Sequence, residues 1–338
     1  LPRFTRLHLR PLPPTAIEAM LLDSLGSEAL AHKLAPTVAQ RSGGVPLFAL
    51  QVLQDLKERG HLRQSTGGPW IEVKRVTGVE APPALRQAIH GRLETLSRDE
   101  RAVLDVAALL GTVFDPSLIA RVRDLKRIEV LETLGHLERK HGLVRSDAAR
   151  FRFDHHLVQE VVERDLPAQL RAEYHALIAD ALADQHDVTQ GDGYGATGEP
   201  AWRIVHHAVE GSDPERWLPL LGRALEHLSS VMAHESAIDL TGKVLAMPPL
   251  AEPSANRVAV LTERARHLNT IGRRDEAQLV VAEAGRTAEE VGDEKGELKA
   301  RVIQGFQWLS LAQYDRALEE ADRIADLARR LVEDQALI

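Results

Sequence analysis

Cysteine is absent from the 338 residues. That excludes disulfides, thiolate metal sites and thiol nucleophiles, and it fits a reducing, cytoplasmic setting. Aromatic residues make up only 4% of the chain, while Ala, Leu, Glu and Arg abound, so the expected core is helix packed on helix. No apolar run approaches the roughly 18 to 20 residues of a membrane-spanning helix, and no membrane partner is expected. A formal charge of −8 argues against a surface built to coat nucleic acid, although a local basic patch fits within that balance. The chain opens on Leu1-Pro2-Arg3-Phe4, with no initiator Met and no basic-then-apolar signal segment. It reads as a segment of something longer, and its length suits two or three domains.

Along the chain, Phe4 to Leu9 alternate apolar and polar and predict a short strand, ended by Pro11, Pro13 and Pro14. Thr15-Ala16-Ile17-Glu18 has the form of a capping box. Helices are expected after it, then over 27–41 and 46–60, joined by Ser42-Gly43-Gly44-Val45-Pro46. Residues 60–83 form a break with a short strand at Trp70 to Val73, and helical periodicity returns over 83–96. Ser97-Arg98-Asp99-Glu100 is a second capping box, and Val103, Leu104, Ala107 and Leu110 make one stripe of the helix behind it. Shorter and longer helices follow over 116–123 and 127–141, the latter closed by Gly142.

Leu143-Val144-Arg145 and Arg150-Phe151-Arg152-Phe153 then flank Ser146-Asp147-Ala148-Ala149 as a hairpin. Helices followed by a two-stranded wing predict a winged helix. A further helix is expected over 157–183, then a linker containing Gly191, Gly193, Gly195 and Gly198. Beyond it His234-Glu235-Ser236-Ala237, Arg274-Asp275-Glu276-Ala277 and Tyr314-Asp315-Arg316-Ala317 recur about forty residues apart. Each opens an Ala-rich helix, with Ala282, Ala284 and Ala288 in one and Ala321, Ala325 and Ala328 in another. Such small residues let neighbouring helices approach, as in helical-hairpin repeats that bury their apolar faces against one another.

Chemistry-bearing patterns are sparse. Gly242-Lys243 is the sole Gly-Lys pair, and Val244 behind it rules out a P-loop. The Gly-rich linker lacks the preceding strand of a dinucleotide fold. His155-His156 and His206-His207 are neighbours that point about 100° apart on a helix and chelate poorly. No metal site and no catalytic residue is assigned. The third helix of the winged helix mixes Lys126, Arg127, Arg139 and Lys140 with Glu129, Glu132 and Glu138. Arg145, Arg150 and Arg152 in the wing therefore carry what argument there is for nucleic-acid contact.

Five stretches in this order, LHLRPLPPTAIEAML, SGGVPLFALQVLQ, LETLSRDERAVLDVAALLGTVFD, LERKHGLV and FRFDHHLVQEVV, ahead of a helical repeat array, resemble the downstream half of STAND-type signalling ATPases. They are similar to MalT-like regulators and to the AAA-type ATPase modules attached to bacterial kinases and cyclases. The resemblance implies a mainly α chain. The end of an ATPase core and a helical lid would occupy residues 1–64, a linker 65–82 and a winged-helix domain with a small β-hairpin 83–165. A connecting helix and Gly-rich linker would follow over 166–199, then an α-solenoid of tetratricopeptide-like hairpins over 200–338. It implies a regulatory and sensor role. Lid and winged helix would close over ADP or ATP with Mg held by an upstream P-loop core, and the repeats would bind an inducer or partner protein. Self-assembly on activation and a kinase, cyclase or DNA-binding effector belong to the same picture.

By position, Gly44 and Pro46 match the lid's Gly-x-Pro near the adenine, and His155 matches the winged-helix histidine that meets the ADP phosphate. A plain helix start at Pro46 and a locally bonded His155 are the bland alternatives. Walker A and Walker B sequences are missing, so this chain alone is expected neither to hydrolyse ATP nor to hold nucleotide. A protein-interaction scaffold with a structural winged helix, and a DNA-binding transcription regulator, are the competing functions.

Overall fold

The computed structural model describes residues 11–65, 68–74, 76, 83–186, 188 and 196–336. The strand expected over Phe4 to Leu9, and Gly191, Gly193 and Gly195 of the linker, lie outside them. The chain divides into two compact units, Leu1–Ala168 and Gln169–Ile338. It is mostly helical, with a few short strands, and no helix of the described residues is long and apolar enough to cross a membrane.

Unit 1 opens with three helices, α1 (Pro14–Leu25), α2 (Glu28–Ser42) and α3 (Pro46–Glu58). The capping box expected at Thr15 is not made. Pro14 occupies the first helical position, where its fixed φ starts the helix and its missing N–H costs nothing, so Thr15 already lies inside the first turn. Glu18 instead reaches His32 Nδ1 at 2.8 Å. Ser27 caps α2 by accepting from the Leu30 N–H. Ile17, Leu21 and Leu25 of α1 interlock with Leu34 and Val38 of α2 and Val52 and Leu56 of α3. A hairpin closes this part, β1 (Leu62–Gln64) pairing antiparallel with β2 (Trp70–Glu72). The Lys57 ammonium lies 4.3 Å from the Trp70 ring centre.

The next elements are α4 (Pro83–Leu93), α5 (Arg98–Leu110), β3 (Val113–Phe114), α6 (Pro116–Val122), α7 (Arg127–His136), β4 (Val144–Asp147), β5 (Arg150–Phe153) and α8 (His156–Asp165). The sheet runs β3-β5-β4, with both pairings antiparallel. The order is thus helix, strand, two helices and a returning hairpin whose last strand pairs with the first.

Here the second capping box forms fully. Ser97 Oγ accepts from the Glu100 N–H at 3.2 Å, and Glu100 Oε2 accepts from the Ser97 N–H at 2.8 Å. Burial alone would raise the Glu100 carboxyl, but the bonds from Ser97 and the neighbouring His136 outweigh it and hold it at about 2. Phe114 stacks on Phe151 and meets Phe153 edge-on, which helps hold β3 beside β5 in the sheet.

Three local expectations change. The helix over 127–141 stops at His136 and widens into a π-turn, Leu137–His141, before Gly142 closes it at φ 61°. The hairpin turn is only Ala148-Ala149, because Ser146 and Asp147 extend β4 and pair with Phe151 and Arg150. Ala148 takes φ 52°, the left-handed turn geometry that suits the twist of a two-residue hairpin. The helix expected over 157–183 is broken before Pro167, where Leu166 is extended as the residue before a proline tends to be.

Unit 2 holds most of α9 (Ala168–Gln185), so this segment, expected as a connection, belongs to the second body. After it come α10 (Glu199–Glu210), a 3₁₀ turn (Glu215–Leu220), α11 (Leu221–Ser230) and α12 (His234–Leu245). The array continues through α13 (Pro248–Ala251), α14 (Ala255–Thr270), α15 (Arg274–Val291), α16 (Glu294–Ser310) and α17 (Tyr314–Ala336). From α10 onward each helix packs on its chain neighbour, and α14 also packs on α16. That nearest-neighbour pattern makes it an α-solenoid of helical hairpins.

The three recurring tetrapeptides open α12, α15 and α17. Ala277, Ala284 and Ala288 of α15 are fully buried, as close helix approach requires. On α17, Ala321 and Ala325 face solvent instead. Small size permits close packing there but nothing described covers that face.

Candidate functional site

The backbone of Gly43-Gly44 is left-handed at two successive residues, φ 57° and 73°, which only glycine adopts readily. The Gly44 N–H donates to Ala39 O, ending α2, and Pro46 then starts α3 at its first position. Gly44 O accepts from the Leu12 N–H at 2.7 Å. The segment before α1 is thereby stitched to this turn.

His155 comes to the same place from more than a hundred residues away. It caps α8, its Nδ1 accepting from the Leu157 N–H at 3.1 Å. A ring nitrogen that accepts carries no proton, so the proton sits on Nε2. Nε2 is buried without a hydrogen-bond partner, and it lies where a side chain on Gly43 would begin. Phe48 meets the ring edge-on at 6.2 Å, and His156 stacks on it at 4.6 Å. Burial, then the neighbouring His155 and Arg41, push His156 down to about 4. Arg41 of α2 and Glu160 of α8 close the contact at 2.8 Å.

Of the residues singled out in the sequence, Gly44 and His155 therefore meet through Gly43, a residue the motif reading passed over. Gly44 itself packs on Pro11 and Leu12. Pro46 is exposed, two residues before Phe48. The signal for Gly43 was the need for two consecutive left-handed residues. Chemically, the arrangement holds an N–H donor in a fixed direction against bare backbone, with cationic Arg41 nearby.

The wing arginines are all exposed. Arg145 lies opposite Arg152, and Arg150 opposite Asp147, so they share one sheet face. Asp154 pairs with Arg145. Much of the basic character of that face is thus answered locally, and Glu129 and Glu138 on the preceding turns bond backbone N–H groups of Lys126 and Ser146.

In unit 2 the neighbouring histidines find partners elsewhere. His175 Nδ1 and His207 Nδ1 are 2.9 Å apart, as are those of His234 and His267. The separations in sequence, 32 and 33 residues, are about one helical hairpin and were the available signal. Burial pushes His175 and His267 down to about 4 and His207 well below its ordinary value. A 310 Å³ cavity is lined by Trp202, His206, Glu235, Asp239 and Lys243, among others. Lys243, mid-helix in α12, bonds Glu210 at 2.8 Å and Asp239 at 2.7 Å and has nothing of a P-loop lysine.

No protein-family model matches the chain, and no curated protein does. Among solved structures, the chain is similar to a Signal Transduction ATPase with Numerous Domains (STAND) protein with a tetratricopeptide repeat sensor from Pyrococcus horikoshii. The two share 14% identity and a TM-score of 0.33, over 94% of this chain and 48% of that one. This chain thus spans about half that protein's length. A likeness of this degree carries no argument, and the functional reading rests on the residues described above.

Proposed function

We propose that this chain is the regulatory and sensor portion of a signal-transduction ATPase. Helices α1–α3 act as its lid, residues 83–165 as its winged helix and unit 2 as its sensor. The observation that carries the reading is the buried, unpartnered Nε2–H of His155, aimed by its own helix cap at the Gly43 backbone. A fixed donor beside bare backbone and an arginine suits phosphate oxygens. Gly44, Pro46 and His155 are the proposed nucleotide-contacting residues. ADP or ATP with Mg would be held by a P-loop core that this sequence does not contain, in a cytoplasmic parent. Without Walker sequences, this chain's own residues bind and orient; they do not hydrolyse.

The sensor part is supported by the cavity beside Trp202, which offers an indole, two carboxylates and an ammonium to an inducer. Such a ligand acts as a signal only by binding closed and open arrangements with different affinity.

The deciding measurement is ADP and ATP affinity of the complete natural polypeptide, as wild type, His155→Ala and His155→Asn. Asn retains a capping acceptor for the α8 N-terminus but loses the Nε2–H. The expected result is a loss of ADP affinity of at least about 10-fold in both variants, with ATP affinity unchanged, as one charge-assisted hydrogen bond to phosphate implies. Unchanged ADP affinity in His155→Asn leaves a helix cap and moves the reading to a protein-interaction scaffold.

A further inference from the structure

A second cluster in unit 1 plays no part in that reading. It joins the start of α5, the end of α7 and the end of the π-turn. Glu100 Oε1 lies 2.5 Å from His136 Nδ1 and 3.6 Å from His141 Nε2. These three atoms all fall within 4.8 Å of one another.

The π-turn makes this possible. In an α-helix, residues five apart point about 140° away from each other. Widening the last turn to the i→i+5 pattern brings His136 and His141 onto one side, their rings edge-to-face at 5.8 Å.

The protonation pattern follows from the partners. Thr95 donates its hydroxyl proton to Arg92 O at 2.7 Å, so toward His141 Nδ1, 3.4 Å away, it can only accept. Nδ1 therefore carries a proton, and in the neutral ring Nε2 presents a lone pair. The His141 side chain is only 6% exposed, and Nε2 has no hydrogen-bond partner. A buried lone pair thus faces a carboxylate oxygen whose twin, Oε2, is already held by the Ser97 N–H. Two acceptors face each other across a gap that a cation would bridge.

We infer that Glu100, His136 and His141 form a binding site for one divalent transition metal of the zinc class, through Oε1, Nδ1 and Nε2. Two imidazoles and one carboxylate suit zinc and its neighbours; a single carboxylate is too few for calcium, and no thiolate is present for softer ions. Ser97 and Thr95 supply the outer hydrogen bonds that orient Glu100 and His141. The remaining coordination position opens on a 600 Å³ cavity lined by Ser97, Asp99, Glu132, Thr133 and Lys140, among others. Bound there, the ion ties three elements of the winged helix together, and by linkage it stabilises unit 1.

The test is titration of the metal-free full chain with zinc chloride by calorimetry and with cobalt chloride by visible absorbance. Wild type is compared with His136→Gln, His141→Gln, Thr95→Val and His267→Gln. The expected wild-type result is one equivalent bound with Kd below about 10 µM, the four-coordinate cobalt spectrum, and a thermal midpoint that rises with zinc. His136→Gln and His141→Gln should each abolish that site. Thr95→Val, which removes no ligand and keeps the fold testable should the histidine variants unfold, should weaken it about 10- to 100-fold. His267→Gln, in the part-buried histidine pair of unit 2, should leave it intact. A tight site that survives His141→Gln and Thr95→Val, or wild-type binding weaker than about 100 µM, overturns the assignment and leaves a proton between Glu100 and the imidazoles.

Discussion

Unit 1 and unit 2 are both helical, but they are held together by contacts of different reach. In unit 2, the buried histidine pairs join residues 32 and 33 apart, one hairpin to the next. In unit 1, Arg41 meets Glu160 across 119 residues, and the Gly43 backbone meets His155. Stability in the first case is a sum over neighbours, so parts can loosen while others stay folded. Stability in the second depends on distant segments arriving together, which favours an all-or-none response. In the proposed function these two behaviours would serve the sensor and the switch respectively.

Acid separates the units most. His175, His207 and His267 stay neutral when folded, with values lowered below the 6.5 of an unfolded histidine. Between pH 6.5 and about 4 the unfolded chain therefore binds more protons than the folded one. Stability is present above that window and falls as pH falls through it, by about 1.4 kcal/mol per pH unit for each imidazole. Unit 1 has His156 in the same situation, while the stabilisation from Glu100 is lost only as pH falls from 4.5 toward 2. Hydrogen exchange read peptide by peptide across pH 7 to 4 should show unit 2 opening first; simultaneous opening of both units would contradict the comparison.

A smaller effect comes from two glycines with nearly the same backbone. Gly43 and Gly292 have φ 57° and 69°, but only Gly43 has a neighbour where a Cβ would go. Gly292→Ala should cost only the left-handed strain, about 1–2 kcal/mol. Gly43→Ala should add overpacking against His155, about 1–3 kcal/mol more. Urea denaturation of both variants, followed by fluorescence and exchange, measures the difference. Equal costs would mean that His155 yields freely, and that the long-range contact is loose.

The smallest difference is the Arg41–Glu160 ion pair, with side chains 26% and 40% exposed. A double-mutant cycle with Arg41→Ala and Glu160→Ala should return a coupling of about 0.2–1 kcal/mol. A coupling above about 2 kcal/mol would make electrostatics, and not backbone packing, the main link in unit 1.

What could be read from the sequence follows the same division of reach. The solenoid was legible because its period repeats, with His234, Arg274 and Tyr314 each opening a helix at the expected place. The Ser97–Glu100 capping box was legible because all its atoms lie within one turn. The Thr15 box failed because Pro14 preempts the helix start. β1 and β3 were missed because two or three residues carry too little alternation, and their strand character comes from partners elsewhere. At the candidate site, the positions of Gly44, Pro46 and His155 came from resemblance. The orphaned Nε2 and the contact with Gly43 needed the fold, as did the Glu100–His136–His141 cluster. That cluster depends on a π-turn, and five-residue spacing in sequence suggests opposite sides of a helix.

The Leu12–Gly44 bond gives the molecule a point of mechanical attachment. A pull on the chain ahead of Pro11 runs along the backbone to the Leu12 N–H and is passed through that 2.7 Å bond to Gly44 O, beside the seat of His155. Single-molecule stretching from that end would load the glycine turn before it loads the buried faces of α1 and α2. The first rupture would then be of the Leu12–Gly44 bond itself, while the three-helix core remains intact.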